Sequence, residues 1–274
     1  MPPTYVYHPF RFYLITILMA FIPAIAHLIS PKDSAQFQLP LTMICMCMPC
    51  IIALIMIFTS HNKILVADFW KRLLLFKISP FYLTMVLFLM PFVVLLSTEI
   101  SLLFGFSTDQ FSLTKELSFL KGSAILGMLI PLLLAPLIEE TGWRGYGVDS
   151  LRVYFNLFIT SIIFGLLWAV WHLPLFFIKG SYQNELFNLG IIYVINFFVS
   201  VFAFGFLMNW VYYKSGRSIP VAILFHSTSN LSMMLWETEP FTKCITTALL
   251  GVIVILFIVF DRAFFFSNKV MAQK

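Results

Sequence analysis

The chain is divided into long apolar runs, and a run of about 20 apolar residues is what crossing a lipid bilayer as a helix requires. Eight such segments stand out: Phe10–Ile29, Leu39–Thr59, Pro80–Phe106, Leu117–Ile138, Val153–Ile178, Leu186–Tyr213, Ile219–Trp236 and Phe241–Phe266. Charged residues make up only 11% of the 274 and apolar ones 61%, whereas a soluble domain carries about 25% charge. Water is therefore the wrong solvent for most of this surface. The expected fold is an all-α membrane protein, a polytopic bundle of about eight transmembrane helices. No segment of roughly ten residues alternates in polarity as a membrane barrel requires. The first run is too long for a signal peptide and has no small-residue cleavage site, so it reads as a span. No linker or repeat divides residues 1–274, which read as one domain. The +5 net charge does not indicate nucleic acid; the expected partner of this surface is the lipid bilayer.

Lysine and arginine placement sets the orientation. With the loop between the second and third spans in the cytoplasm, both termini lie there too (N-in, C-in). Twelve of the seventeen basic residues then fall inside and five outside: Lys32, Lys115, Lys121, Lys179 and Lys243. Residues 60–79 read as an amphipathic helix, with Ile64, Leu65, Phe69 and Leu73 on lipid and Lys63, Lys71 and Arg72 meeting anionic headgroups. Cys45, Cys47 and Cys50 form a C-x-C-x-x-C cluster that suits either a soft metal or, more simply, small polarizable packing among methionines.

Against this background the polar interruptions carry the functional information, because ionisable groups at membrane depth are costly and mark sites. Pro136 to Arg144 reads P-L-I-E-E-T-G-W-R. Glu140 and Arg144 are four apart and share a helical face, where pairing keeps both charges at least expense. Glu139 points about 100° away, leaving a carboxylate uncommitted and available as a general base. Equally, both glutamates could belong to a structural ion-pair network. His172 lies four residues after Trp168 in a second apolar run; His27, in the first, is the same residue type in an unremarkable setting. His226 and Asn230 share one helical face and suit a developing oxyanion, a pair of metal ligands, or an interhelical hydrogen-bond lock. Counted from the cytoplasmic ends, Glu139 falls near the inner face, His226 near the middle and His172 towards the outer face. Meeting therefore requires either a fifth helix that starts later than Val153, or staggered helices around a wet cavity.

Taken in order, E-E-x-x-x-R (Glu139, Glu140, Arg144), aromatic-x-x-x-H (Trp168, His172) and H-x-x-x-N (His226, Asn230) resemble the CPBP or Abi intramembrane proteases. That family includes the CAAX prenyl endopeptidases of the Rce1 type and bacteriocin-processing and immunity proteins. The resemblance covers residues 121–236, which would be the catalytic core helices. Trp168 stands where the commonest pattern has phenylalanine. The resemblance implies an intramembrane endopeptidase in which Glu139, assisted by His172, activates water. His226 and Asn230 would hold the oxyanion, and Glu140, Arg144 and Trp168 would support the site. It equally implies a metalloprotease alternative, with zinc on Glu139, His172 and His226; two histidines, a carboxylate and one open position make a catalytic zinc set. Asn230 is a poor zinc ligand and a good oxyanion donor, so the metal-free glutamate route is preferred here.

The implied substrate is a peptide or membrane-anchored protein. The motif context is similar to bacterial members, which points to a bacterial inner or plasma membrane. A non-catalytic immunity or scaffold protein of the same fold is the main alternative. A transporter would spread its charges along a pore, often in two related halves, and no such repeat is present.

Overall fold

A computed structural model describes residues 5–29, 38–76, 78–114 and 130–267. Its helices are α1 (Pro9–Ile29), α2 (Gln38–Phe58), α3 (Lys63–Leu74) and α4 (Pro80–Leu102), then α5 over residues 130–152. After these come α6 (Leu157–His172), α7 (Tyr182–Leu189), α8 (Ile191–Lys214), α9 (Ile219–Met234), α10 (Pro240–Phe260) and the short α11 (Arg262–Phe266). Among the described residues the only β-type pairing is a single bridge between Leu113 and Trp236. The protein is thus an all-helical membrane protein.

Among the described residues four stretches are long and apolar enough to cross a bilayer: Pro80–Leu102, Leu157–Phe177, Ile191–Lys214 and Pro240–Phe260. Shorter apolar stretches, Pro9–Pro23 and Met43–Phe58, lie in α1 and α2. Most of the expected fourth span, with Lys115 and Lys121, lies outside the described residues, as do Lys32, Lys77, Lys269, Lys274 and the side chain of His27.

Neighbouring helices close a ring in the order α1, α2, α5, α9, α4, α10, α8, α6 and back to α1, with α8 also against α9. Close approach of α2 to α5 depends on Gly142, where a Cβ would run into the backbone of Pro49 and Cys50. Small residues at helix contacts serve this purpose in membranes. Cys45 belongs to the same packing, its Sγ donating to the Ala20 carbonyl of α1 at 3.2 Å.

The main departure from the sequence reading is where α5 ends. The apolar run stops at Ile138, but the helix continues through Arg152, passing through a π-helical stretch at Trp143–Gly147. Charge does not terminate it because each charged group finds a partner inside the bundle. Arg72 of α3 reaches in to donate to the carbonyls of Arg144 (2.6 Å) and Gly145 (2.9 Å), which a π-helical stretch leaves open to outside donors. Its guanidinium also meets Asp149 at 3.0 Å and Asp68 at 2.8 Å. Asp149 in turn accepts from Tyr212, Tyr213 and Arg217.

Arg72 is therefore not a headgroup anchor: it is 2% exposed, and Leu65 and Phe69 pack inward with it. Arg144 and Arg152, counted as cytoplasmic loop charges, are likewise buried, so three of the twelve inside charges face protein and not headgroups.

The second departure is the start of α6, which is capped by Asn156 accepting from Ile159 N. From the turn over residues 153–156, Glu139 stands about 20 Å up α5 and His172 about 23 Å up α6, at about 1.5 Å per residue. The two are level, which removes the mismatch in depth. Further along, the expected span Leu186–Tyr213 is broken by Gly190, whose φ of +135° separates α7 from α8. The last run likewise breaks at Asp261 before α11.

Asp149→Asn should lower thermal stability in detergent by about 3 kcal/mol, because it strips a buried charge network of its acid. A thermal unfolding curve should show the drop beside an unshifted control at exposed Glu185→Gln. Gly142→Val should prevent recovery of folded protein, read by gel filtration.

Candidate active site

Glu140 has a partner on each carboxylate oxygen in the bundle interior. Its Oε2 accepts from Arg144 Nη1 at 2.6 Å and its Oε1 from His226 Nδ1 at 2.9 Å, joining α5 to α9. Arg144 extends the connection, donating to Asn209 Oδ1 of α8 at 3.1 Å, and Asn209 donates to Ser161 of α6 at 3.1 Å. The guanidinium plane lies 4.7 Å from the Phe164 ring, a cation–π contact that desolvation strengthens. Glu140 and Arg144 are fully buried.

Glu139 faces elsewhere. Its Oε2 accepts from the indole N–H of Trp168 at 3.3 Å. Trp168 also takes the Nδ1–H of His172 on its carbonyl at 2.7 Å, and its ring stands edge to face with His226 at 5.8 Å between centroids. One tryptophan therefore touches Glu139, His172 and His226, which come from three different helices. Each is nearly buried, with 6%, 8% and 6% of its surface exposed, so access is narrow but not sealed.

Hydrogen-bond logic fixes the ring nitrogens. A carbonyl only accepts, so Nδ1 of His172 carries the proton and Nε2 presents a lone pair in the neutral ring. A carboxylate also only accepts, so Nδ1 of His226 donates to Glu140 and its Nε2 is the atom left for other work.

A cavity of about 150 Å³ adjoins this cluster, room for several waters. Trp168, His226 and Asn230 form part of its wall, with Ser229, Phe204 and Lys243. Glu139 and His172 each bond Trp168 but do not themselves line the wall. The lining extends to Tyr182, Leu186, Pro240 and Lys243, beside the loops at residues 178–190 and 235–240. That end of the bundle is opposite the Asp149–Arg217 cluster. Gln110 fixes it by accepting from Glu239 N (2.9 Å) and Thr242 Oγ1 (2.6 Å).

Among the described residues no three His, Cys, Asp or Glu side chains converge as a metal-ligand set. Glu139, His172 and His226 as placed do not form such a set.

Sequence reasoning missed Asn209, Ser161 and the Arg72–Asp149 support, all polar residues in apolar helices. That polarity was the available signal, but nothing local names their partners.

The site is thus a buried acid–histidine cluster beside a cavity in a polytopic membrane bundle. Residues 121–232 match the family described as type II CAAX prenyl endopeptidase Rce1-like. A "CAAX prenyl protease 2" of Methanococcus maripaludis is 37% identical over 271 residues, covering 98% of this chain and 99% of the relative. The chain belongs to this family of CAAX prenyl proteases, and it is an intramembrane endopeptidase. The relative is archaeal, whereas the motif context had pointed to bacterial members.

Trp168→Phe keeps the aromatic packing and removes the indole donor that stands 3.3 Å from Glu139. Loss of a hydrogen bond to a charged group, worth roughly 1.5–3 kcal/mol, should lower kcat at least tenfold with KM little changed. Steady-state cleavage of a quenched-fluorescent peptide by the purified variant measures this.

Proposed function

We propose that this protein hydrolyses a peptide bond near the C-terminus of a prenylated, membrane-associated protein, using Glu139 as general base. The observation that carries the reading is Trp168, which gathers Glu139, His172 and His226 beside one cavity.

In this mechanism Glu139 takes a proton from a water that His172 Nε2 orients by accepting its other hydrogen. The hydroxyl adds to the carbonyl carbon, and the displaced π electrons become an oxyanion. His226 Nε2 and the Asn230 amide donate to that oxygen. To donate from Nε2 while Nδ1 donates to Glu140, His226 must carry both ring protons, and the Glu140 carboxylate is the countercharge for that form. Collapse of the tetrahedral intermediate breaks the C–N bond, and the leaving amine takes the proton held on Glu139. Arg144 holds Glu140 in place throughout.

Eight spans with both termini in the cytoplasm is the arrangement the basic residues favour. That arrangement would turn the cavity towards the outer face, whereas prenylated proteins are modified on the cytoplasmic side. Three of the inside charges are buried in protein, which weakens the bias. We therefore take the cavity end to be cytoplasmic. A cysteine placed at exposed Glu185 should resist an impermeant maleimide in intact cells and react after lysis; labelling in intact cells would reverse the assignment.

Glu139→Gln should cut kcat by a factor of about 10³ within the range for general-base removal, and Asn230→Ala by about 10²–10³. Detergent-purified protein assayed on a prenylated C-a-a-X peptide, with and without a strong chelator, tests both. Full activity of Glu139→Gln would sink the glutamate mechanism. Activity lost to the chelator and restored by zinc would move the protein to the metalloprotease reading.

A further inference from the structure

Lys243 stands out among the basic residues. Arg72, Arg144, Lys214 and Arg217 each pair with an acid at 3.0 Å or less. Lys243 lines the cavity that holds His226 and Asn230, and among the described residues no carboxylate forms an ion pair with it. Its ammonium rests over the Tyr182 ring at 5.0 Å, a contact that orients a cation without neutralising it. It also occupies the first turn of α10, where the helix dipole disfavours positive charge. Packing alone gives no reason for a cation here, since much of the same wall is built of Leu186, Phe204, Met233 and neutral polar groups such as Thr246 and Thr247. The position is also anchored: the bonds from Glu239 N and Thr242 Oγ1 to Gln110 hold the start of α10 against the loop after α4.

The geometry points to Lys243, held by Tyr182, as the subsite that binds the free C-terminal carboxylate of the substrate. This rests on the endopeptidase reading and deepens it by naming which end of the peptide is recognised. Cleavage after the prenylated cysteine of a C-a-a-X box releases a tripeptide, which spans about 10 Å extended. One end of that tripeptide is the scissile bond at His226 and Asn230, and the other is the carboxylate, which needs a cation on the same cavity. A lysine there selects chain ends over internal peptide bonds: an internal segment brings no negative charge, so it leaves the ammonium desolvated and unpaired.

Binding is measured first, on full-length Glu139→Gln protein in detergent, with a prenylated C-a-a-X peptide bearing a free carboxylate and the same peptide amidated. The acid should bind about tenfold more tightly than the amide, the scale of one charge-assisted contact. Lys243→Met should reduce acid binding to the amide level, and Lys243→Arg should retain the preference. In otherwise wild-type protein Lys243→Met should raise KM about tenfold for the acid with kcat nearly unchanged. Equal binding of acid and amide, or an undiminished preference in Lys243→Met whose thermal unfolding matches wild type, overturns the assignment. A preference for the acid, together with wild-type protein that cleaves neither peptide, leaves the carboxylate subsite standing and defeats the endopeptidase reading instead.

Discussion

A carboxylate buried beyond the reach of water holds this bundle in register. Glu140 accepts from Arg144 on its own helix and from His226 on α9, and Arg144 carries the connection to Asn209 on α8 and to the Phe164 face on α6. Four helices thus meet at one pair of opposite charges. Removing one partner of such a pair leaves an uncompensated charge in low dielectric, at a cost of about 3–5 kcal/mol. Bundle geometry is therefore specified more sharply here than by apolar packing, which contributes little preference between protein and lipid.

A second network does the same at the opposite end. Arg72, Asp68, Asp149 and Arg217 tie α3 to α5 and to the start of α9. Its consequence is continuity of α5. With Arg72 on the carbonyls of the π-helical stretch, the helix carries on from Glu139 to Arg152 through mixed polarity without fraying. Glu139 is then carried to mid-helix, level with His172. The structural charges thus fix the depth of Glu139 beside His172.

Trp168 shows how little separates the two roles. Its backbone carbonyl sets the tautomer of His172, its indole N–H holds Glu139, and its ring edge meets His226. The same residue lines the cavity, which Glu139 does not. Phenylalanine, commoner at this place in related motifs, could supply the ring but not the donor, so this chain adds a restraint on its free carboxylate. At the other end of the cavity, Lys243 brings an ammonium to a wall built largely of apolar and neutral polar groups.

Hydropathy was enough to identify a helical membrane protein, since twenty apolar residues in succession have few alternatives. Spacing was enough for local pairs: Glu140 with Arg144, and His226 with Asn230, follow from one turn of helix. Glu139 was legible as the acid that faces away from Arg144, though its tie to Trp168 was not. Helix ends were misplaced at Ile138 and Val153, because a charged residue reads as an exit from the membrane unless its partner is known. Those partners, Arg72 for the carbonyls after Glu140, Asn209 for Arg144 and Asp149 for Arg217, lie more than sixty residues away in sequence. No local pattern encodes which distant polar groups will meet. Only the closed bundle brings them within hydrogen-bond reach, and that decides the depth of Glu139, the tautomers of both histidines and the wall on which Lys243 stands.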